Sequence, residues 1–359
     1  MVRVTEAIKN IAVYQPGKPI EEVKRELGLK DVIKLASNEN PLGVSPKALA
    51  AIKEQAGKLN RYPEGTCFKL RQRLSKKLNI TAGNLLFGNG SDEIIDIIIK
   101  TFCRPDEEII TADKTFLEYK IIALQNSRLV RTVALKNLRY DLKEIKRNIN
   151  TKTKIVFIAN PNNPTGTYVK ESEIEEFLSG LPQDIIVVLD EAYFEFVEAP
   201  DYPVSIDLLK KSPNIIILRT FSKIYGLAGL RIGYAVADKE IIRYLERARQ
   251  PFNVNSLAQA AAFAALNDTD FITKTIKSTK EGKKYIYEEL TKLNIEYIPS
   301  ETNFVLINLK KDGRDVFQKM LKKGIIIREL KQYNLDNFIR VTIGTMPENR
   351  KFIKALRKI

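Results

Sequence analysis

One segment around residue 223 has the residue types that can hold a phosphorylated aldehyde. Residues 220–233 read T-F-S-K-I-Y-G-L-A-G-L-R-I-G, so Lys223 lies between a hydroxyl residue and a glycine-rich turn. A lysine amine can form a Schiff base with an aldehyde. Thr220, Ser222 and Arg231 can neutralise a phosphate, for which the fixed donors of arginine are well suited. The alternative, a solvent-exposed lysine in a loop, does not explain the whole pattern of residues 220–233.

A second candidate group follows the most apolar segment of the chain. Residues 185–189 are apolar at every position, as expected of a strand buried on both faces, and Asp190 ends the run. Ligands of open α/β sheets bind at the carboxyl ends of strands, so Asp190 is expected to face a cleft. The Asp190 carboxylate could pair with a protonated nitrogen of a bound ring, and the Tyr193 hydroxyl could donate a hydrogen bond to an oxygen of the same ring. An aspartate that only caps the next turn is the alternative.

Two turns offer further groups for such a ring. Residues 160–166 read N-P-N-N-P-T-G, a sharp turn that would hold the Asn163 amide in a fixed orientation, from which it could donate to the same ring oxygen. Phe116, at a predicted junction between a strand and a helix, could stack on the ring, and Tyr119 is one turn further on. Aromatic residues near a helix start more often belong to the core.

Residues 88–93 read G-N-G-S-D-E between a predicted strand and a predicted helix. Glycine permits close approach of the backbone, and the free N–H groups of a helix start bind anions. Gly90, Ser91 and Asp92 are therefore candidate phosphate ligands through their backbone. The charge of Asp92 would repel phosphate unless its side chain turns away, and Ser91 could simply cap the helix.

Composition excludes several kinds of function. The 359 residues include no histidine, which excludes Ser-His and Cys-His nucleophile pairs and imidazole-ligated metals. The two cysteines, Cys67 and Cys103, are too few for a disulfide framework and lack a metal-ligand spacing, so we expect reduced thiols, no metal and a cytoplasmic location. The net charge of +15 is scattered rather than striped, so no nucleic-acid partner is expected. No segment resembles a signal peptide or a membrane span.

The alternation of short apolar runs with amphipathic stretches predicts a parallel sheet with crossover helices. The predicted strands are Leu85–Gly88, Glu108–Thr111, Lys154–Ala159, Ile185–Asp190, Asn214–Arg219 and Gly233–Ala237. The predicted helices are Pro46–Gly57, capped by Ser45, and Ser91–Phe102 and Glu171–Leu178.

The pattern changes after about residue 245. We expect a long helical stretch over Ser256–Leu293, then strands at Phe304–Asn308, Ile325–Arg328 and Phe338–Ile343, with a helix near Asp312–Lys323 and a basic last helix. This divides the chain into an N-terminal arm (residues 1–30, belonging to the small domain or to a partner subunit), a large α/β domain (31–245) and a small α+β domain (246–359).

Taken together, these motifs resemble those of class I and II aminotransferases, which are pyridoxal-phosphate-dependent enzymes of fold type I. The resemblance covers nearly the whole chain. It implies that Lys223 holds the cofactor and moves protons, and that Asp190, Tyr193, Asn163, Phe116 and the Gly90 turn surround it. It also implies that Arg340 takes the substrate carboxylate. Tyr62 resembles the tyrosine that reaches the cofactor phosphate of a neighbouring subunit, which implies a homodimer.

Four segments narrow the resemblance to histidinol-phosphate aminotransferases: residues 14–18 (Y-Q-P-G-K), 37–43 (S-N-E-N-P-L-G), 302–305 (T-N-F-V) and 324–328 (G-I-I-I-R). In that family the residues matching Tyr14 and Arg328 lie near the substrate phosphate, and Asn38 belongs to the same N-terminal signature. Two positions depart from the family pattern. Lys114 replaces a usual proline and Phe116 a frequent tyrosine, which affects only the stacking detail.

The resemblance implies ping-pong transfer of an amino group between L-histidinol phosphate and 2-oxoglutarate, giving imidazole acetol phosphate and glutamate. An aromatic amino-acid aminotransferase and a threonine-phosphate decarboxylase share most of the motifs and remain alternatives. Transcription regulators of this fold carry a DNA-binding domain, for which the residues before Ser37 leave no space. A nonenzymatic binding protein would not be expected to keep Lys223.

Overall fold

The largest sheet is built from the apolar segments of the middle of the chain. The computed structural model describes residues 2, 4, 6–9, 11 and 17–359, and within them this sheet has seven strands. In order across the sheet they are Leu85–Gly88, Gly233–Ala237, Ile215–Thr220, Ile186–Asp190, Thr153–Ala159, Glu108–Ala112 and Leu129–Val133. All run parallel except Gly233–Ala237, which is antiparallel to both neighbours. The predicted mostly parallel sheet is confirmed.

Helices connect these strands. The α-helices are Glu6–Lys9, Ile20–Leu27, Pro46–Ala56, Phe68–Leu78, Ser91–Phe102, Glu118–Gln125, Leu142–Asn148, Glu171–Leu178, Ser205–Lys211, Lys239–Ala248, Ser256–Ala265, Thr269–Lys292, Gly313–Lys322 and Met346–Leu356. Short 3₁₀ helices are Ala82–Asn84, Phe194–Phe196, Ala228–Leu230 and Lys331–Tyr333. None of the helices in the described part of the chain has both the length and the apolar character needed to cross a bilayer.

Local sequence explains where the predicted helices begin. The Ser45 hydroxyl accepts a hydrogen bond from the Ala48 N–H at 3.2 Å, and Pro46 occupies the first turn, where its missing N–H costs nothing. Helix Ser91–Phe102 buries the isoleucines at positions 94, 95, 97, 98 and 99 against the sheet. These apolar side chains help to bury the middle of the sheet.

A smaller antiparallel sheet lies in the C-terminal part of the chain. Among the described residues it has four strands, in the order Arg328–Glu329, Phe338–Thr342, Phe304–Asn308 and Glu296–Ile298. A separate apolar core, which includes Leu290, Val305, Val341 and Phe352, packs this sheet against its helices.

The predicted single strand Ile325–Arg328 is wrong. Ile325 and Ile326 pair in parallel with Ile33–Lys34, whereas Arg328 and Glu329 pair antiparallel with Phe338–Thr342. The chain changes sheets at Ile327, which is buried between the two pairings. Helix Ile20–Leu27 lies nearby, with its Val23 side chain buried against Ile326.

The predicted long helical stretch Ser256–Leu293 consists of two helices, because it is interrupted between Ala265 and Thr269. The Asn267 amide donates to the Phe263 carbonyl at 3.0 Å. The Asp268 carboxylate accepts from the Ser45 hydroxyl at 2.5 Å, at the start of another helix. Short polar side chains that bond to nearby backbone carbonyls or to other segments compete with the regular helical pattern, which favours a break at these positions.

Candidate active site

One cavity collects nearly all of the predicted site residues. Those that line it are Asn38, Ser91, Asp92, Phe116, Asn163, Asp190, Tyr193, Thr220, Ser222, Lys223, Arg231, Arg328 and Arg340. Its floor is formed by Ala159, Asp190 and Thr220, the last residues of three adjacent parallel strands. The cavity therefore lies at the carboxyl edge of the sheet, where ligands of such sheets bind.

Lys223 extends into this cavity from the loop that follows strand Ile215–Thr220. Its Nζ lies 3.5 Å from the Ser37 carbonyl oxygen and 5.6 Å from the centre of the Tyr193 ring. Burial lowers the pKa of Lys223 to about 8, and the positive charges of Arg340 and Arg231 act in the same direction. A neutral amine, the form that attacks an aldehyde, is therefore accessible near neutral pH.

The loop that carries Lys223 is held by the segment Ser37–Val44. The Asn40 amide donates to the Ile224 carbonyl at 2.9 Å. Gly226 has a φ of +70°, and a Cβ at this position would lie 2.1 Å from the Gly43 carbonyl oxygen. Only glycine permits both the left-handed backbone and this close approach.

Asp190 and Tyr193 are fixed by hydrogen bonds on the side of the cavity opposite solvent. Asp190 is buried, which raises its pKa to about 6, while hydrogen bonds from the Tyr119 hydroxyl at 2.6 Å and the Ala192 N–H at 3.1 Å favour its charged form. The Tyr193 hydroxyl accepts from the Asn38 amide at 2.8 Å. The Tyr193 O–H proton is thus free to be donated into the cavity.

Asn163 and Arg340 meet across the cavity. An Arg340 Nη donates to the Asn163 side-chain oxygen, and the other Nη donates to the Ala36 carbonyl at 2.7 Å. Because the Asn163 oxygen faces Arg340, its amide N–H group is left to donate toward a bound ring. The turn predicted from N-P-N-N-P-T-G is present, and Gly166 has a φ of +76° next to Ser300.

A cationic and hydroxyl-lined recess lies at the start of helix Ser91–Phe102. Arg231 packs directly on Gly90, where a Cβ would lie 2.4 Å from an Arg231 Nη atom. The Asp92 carboxylate forms an ion pair with Arg231 at 3.0 Å, which offsets part of its negative charge. The Thr220 hydroxyl accepts from the Ser222 backbone N–H at 3.0 Å, which orients the Thr220 side chain.

These groups fit pyridoxal phosphate, the cofactor expected from the sequence. The glycine at position 90 leaves room for Arg231 beside a helix N-terminus, which is the chemistry a phosphate needs. Asp190, a buried carboxylate at the end of its strand, lines the same cavity and would pair there with a protonated pyridine nitrogen. Lys223 supplies an amine of lowered pKa for the aldehyde.

A second cationic region is formed by the antiparallel strands Arg328–Glu329 and Phe338–Thr342. Arg328 and Arg340 are direct partners in the register of these strands, so both side chains lie on one face, and both line the cavity. Arg328 also donates to the Gln332 side chain at 3.0 Å, and Tyr333 lies beside it at the cavity wall. Tyr14, predicted to lie here as well, is outside the described residues, and the nearby Gly17 lines the cavity.

Tyr62 lies away from this cavity. Its side chain is 83% exposed and stacks on Phe252 with 4.9 Å between ring centres. It lines a separate surface groove with the exposed aromatic residues Phe68 and Phe263. Within one chain, Tyr62 contributes nothing to the cavity.

Sequence reasoning missed buried residues that contact or adjoin the predicted site residues. Tyr119 was noted only as an aromatic residue near Phe116, although its hydroxyl binds Asp190. Glu191 and Arg219, each next to a predicted site residue, form a buried ion pair at 2.8 Å. Their positions directly after Asp190 and directly before Thr220, on strands predicted to be buried, were the available signal.

Comparison with known proteins places the chain among aminotransferases. The family model "Aminotransferase class I and II" matches residues 30–356. A histidinol-phosphate aminotransferase from Moorella thermoacetica is 49% identical over 99% of this chain and 92% of its own length, and one from Carboxydothermus hydrogenoformans is 45% identical over 99% of both. The crystal structure of histidinol-phosphate aminotransferase from Sinorhizobium meliloti in complex with pyridoxal-5'-phosphate superposes with a TM-score of 0.91 at 27% identity, covering 100% of this chain and 97% of that one.

Proposed function

The chain belongs to the class I and II aminotransferases, and we propose that it transfers the amino group of L-histidinol phosphate to 2-oxoglutarate. The products are imidazole acetol phosphate and L-glutamate, and the reaction belongs to histidine biosynthesis. Its cofactor is pyridoxal 5'-phosphate. The observation that carries this proposal is the placement of Arg328 and Arg340 side by side on the wall of the cavity that holds Lys223.

Two arginines in direct register concentrate positive charge on one wall of the cavity, which favours the binding of anions. Arg340 is anchored by Asn163 and Ala36, so it is held in position to receive the carboxylate of glutamate or 2-oxoglutarate. Histidinol phosphate has no such carboxylate, but its phosphate calls for a second cation, which Arg328 supplies. The pair therefore suits an enzyme that binds a dicarboxylate and a phosphorylated amine in turn.

When bound, pyridoxal phosphate supplies an aldehyde that accepts an amino group and a ring that accepts the electron pair of a carbon–hydrogen bond. Arg231, Thr220, Ser222 and the N–H groups at Ser91 bind its phosphate. Phe116, which lines the same cavity, would pack against the face of the ring.

The remaining site residues control protons. Asp190 holds a proton on the pyridine nitrogen through its carboxylate, and Tyr193 and Asn163 donate hydrogen bonds to the 3-oxygen. The Lys223 amine removes a proton from the substrate carbon and delivers it to the carbon that carried the aldehyde. The same residues act on the amino donor and then on the amino acceptor. The ketone formed from the donor must therefore leave before the acceptor binds.

We further propose that two chains form a dimer, with Tyr62 of each reaching the phosphate site of the other. The support is the groove that Tyr62, Phe68 and Phe263 line, where Tyr62 and Phe68 are 83% and 58% exposed. Exposed aromatic residues clustered in this way are typical of protein interfaces. A cytoplasmic location accompanies this proposal and is supported by Cys67 and Cys103, which are buried and unpaired among the described residues.

The test of the function is a half-reaction. Purified enzyme carrying its cofactor is mixed with L-histidinol phosphate alone, and absorbance is used to follow conversion of the cofactor from its aldehyde form to its amine form. We expect one equivalent of the ketone per site, and recovery of the aldehyde form when 2-oxoglutarate is added. Release of carbon dioxide from threonine phosphate, or faster turnover of phenylalanine or tyrosine, would favour one of the alternative enzymes instead.

The variant Arg328→Ala tests the phosphate site in the same assay. Hydrogen bonds to a charged group contribute about 1.5–3 kcal/mol, so KM for histidinol phosphate should rise about ten- to hundredfold. KM for glutamate should change much less. The control Lys331→Ala removes an exposed neighbouring cation and should change neither value. An equal rise in both KM values for Arg328→Ala would contradict the assignment.

A further inference from the structure

The Asp190 carboxylate is held by two donors of different kinds. One oxygen accepts from the backbone N–H of Ala192 at 3.1 Å, and the other accepts from the Tyr119 hydroxyl at 2.6 Å. Asp190 is only 5% exposed. Its orientation is therefore set by one fixed backbone contact and one side chain, and the side chain comes from a different part of the chain.

Tyr119 itself has little freedom to move. It is fully buried, its ring stacks on Phe157 with 4.8 Å between ring centres, and its edge meets the Phe116 ring at 5.5 Å. Burial and the nearby Asp190 charge raise the pKa of Tyr119 well above its ordinary value, so its hydroxyl stays protonated and remains a donor. One residue thus contacts both the side chain that faces the pyridine nitrogen and the side chain that packs on the ring.

We propose that Tyr119 is a positioning residue whose hydroxyl keeps the Asp190 carboxylate ionised and aimed at the pyridine nitrogen, while its ring supports Phe116. This proposal rests on the proposed function, because it assigns Tyr119 a part in holding the cofactor of that reaction. Tyr119 also lines the cavity, but in this role it acts through Asp190 and Phe116.

The physical basis is that burial and hydrogen bonding have opposite effects on the pKa of Asp190. Burial raises the pKa of Asp190 to about 6, and the hydrogen bond from Tyr119 opposes this rise. Without that bond the pKa of Asp190 would rise further, and a larger fraction of the carboxyl groups would be neutral at pH 7. A neutral carboxyl group holds a proton on the pyridine nitrogen less firmly.

The experiment compares Tyr119→Phe with Tyr140→Phe in enzyme that carries pyridoxal phosphate labelled with ¹⁵N in the ring. Both changes remove one buried hydroxyl, but the Tyr140 hydroxyl donates to Thr115 at 2.8 Å and does not bind Asp190. We expect the ¹⁵N resonance to move toward that of unprotonated pyridine in Tyr119→Phe only. The measurement needs no substrate, so it stands even if histidinol phosphate is not the amino donor.

A second measurement separates positioning from general damage to the fold. With the normal cofactor, Tyr119→Phe should slow the half-reaction with glutamate about ten- to hundredfold, as expected for loss of one hydrogen bond to a charged group. With a cofactor analogue that has CH in place of the ring nitrogen, the same variant should lose less than about twofold, because the affected proton is gone. Equal losses with both cofactors, or an unmoved ¹⁵N resonance in Tyr119→Phe, would overturn the proposal.

Discussion

The site contains a buried base, Lys223, and a buried acid, Asp190, whose protonation states determine its chemistry. Burial disfavours the charged form of each, so the pKa of Lys223 falls to about 8 and that of Asp190 rises to about 6. Near pH 7 Asp190 is still mostly ionised, and roughly a tenth of the Lys223 amines are neutral. For an ordinary lysine at that pH, the charged form exceeds the neutral form about three thousandfold.

The direction of each shift matches the work proposed for the residue. Lys223 must lose a proton to form its bond to an aldehyde, and a lowered pKa favours that form. Asp190 must keep its charge despite burial, and the hydrogen bonds from Tyr119 and Ala192 favour that charge. Burial therefore favours the neutral form that Lys223 needs. At Asp190 burial opposes the charged form that is needed, and the hydrogen bonds from its neighbours offset that effect.

At the scale of elements, the decisive contact joins two loops far apart in the sequence. The turn after Lys223 packs on the segment Ser37–Val44, with Gly226 against the Gly43 carbonyl. That segment also carries Asn38, which bonds to Tyr193 and whose N–H donates to Thr342 at 2.9 Å. It therefore connects the lysine loop to the smaller sheet.

Gly226→Ala should misplace the lysine loop. An alanine at a φ of +70° is strained, and its Cβ would overlap the Gly43 carbonyl at 2.1 Å. We expect a loss of about 1–3 kcal/mol in the free energy of unfolding and weaker retention of pyridoxal phosphate. Denaturant unfolding and cofactor content after dialysis measure the two effects.

Gly229→Ala is the matched control in the same loop. A Cβ there meets nothing within 4 Å, and its φ lies outside the range that disfavours alanine. Stability and cofactor content should stay close to those of the unchanged protein. If Gly226→Ala behaved like this control, close packing of the two loops would not be needed to place Lys223.

Strongly patterned elements could be predicted from sequence, and contacts between distant segments could not. Strand Ile186–Asp190 was visible because both of its faces are buried. Strand Leu129–Val133 was missed, since all but its last residue retain some exposure and it has no apolar run. The bond between Tyr119 and Asp190 joins residues 71 positions apart, and no local pattern encodes such a pairing.

The same limit applies to the site. Motifs at strand ends predicted Asp190, Asn163 and Lys223, because parallel strands end at one edge of a sheet. The break before Thr269 was missed, as it depends partly on a hydrogen bond between Asp268 and Ser45. Local chemistry thus predicted which residues face the cavity better than it predicted what holds them there.

At the scale of the whole molecule, the proposed dimer would bring together two features that one chain leaves apart. Tyr62 lies on an exposed groove, while the phosphate recess at Arg231 lies inside the cavity. Arg231 is itself partly exposed, with 44% of its side chain accessible. If a second chain bound at the groove, Tyr62 of each chain could reach the partly exposed phosphate recess of the other chain.

Phe68→Glu should weaken this association, because it places a charge on an apolar groove where Phe68 is 58% exposed. Sedimentation should show a shift from dimer to monomer, and the monomer should retain less pyridoxal phosphate. Leu129→Glu, at a 46% exposed position outside the groove, is the control and should leave both properties unchanged. A Phe68→Glu protein that stays dimeric, or an unchanged protein that is monomeric, would contradict the proposed interface.

The most direct test of the central claim is where and at what pH the protein captures its cofactor. Cofactor-free enzyme is mixed with pyridoxal phosphate at a series of pH values, the covalent bond is fixed with borohydride, and the modified residue is located by mass spectrometry. We predict a single modified residue, Lys223, with an initial rate that rises with pH and levels off above about 8, where the amine is neutral. Modification at another lysine, or a rate that keeps rising toward pH 10.5, the ordinary pKa of lysine, would contradict the account.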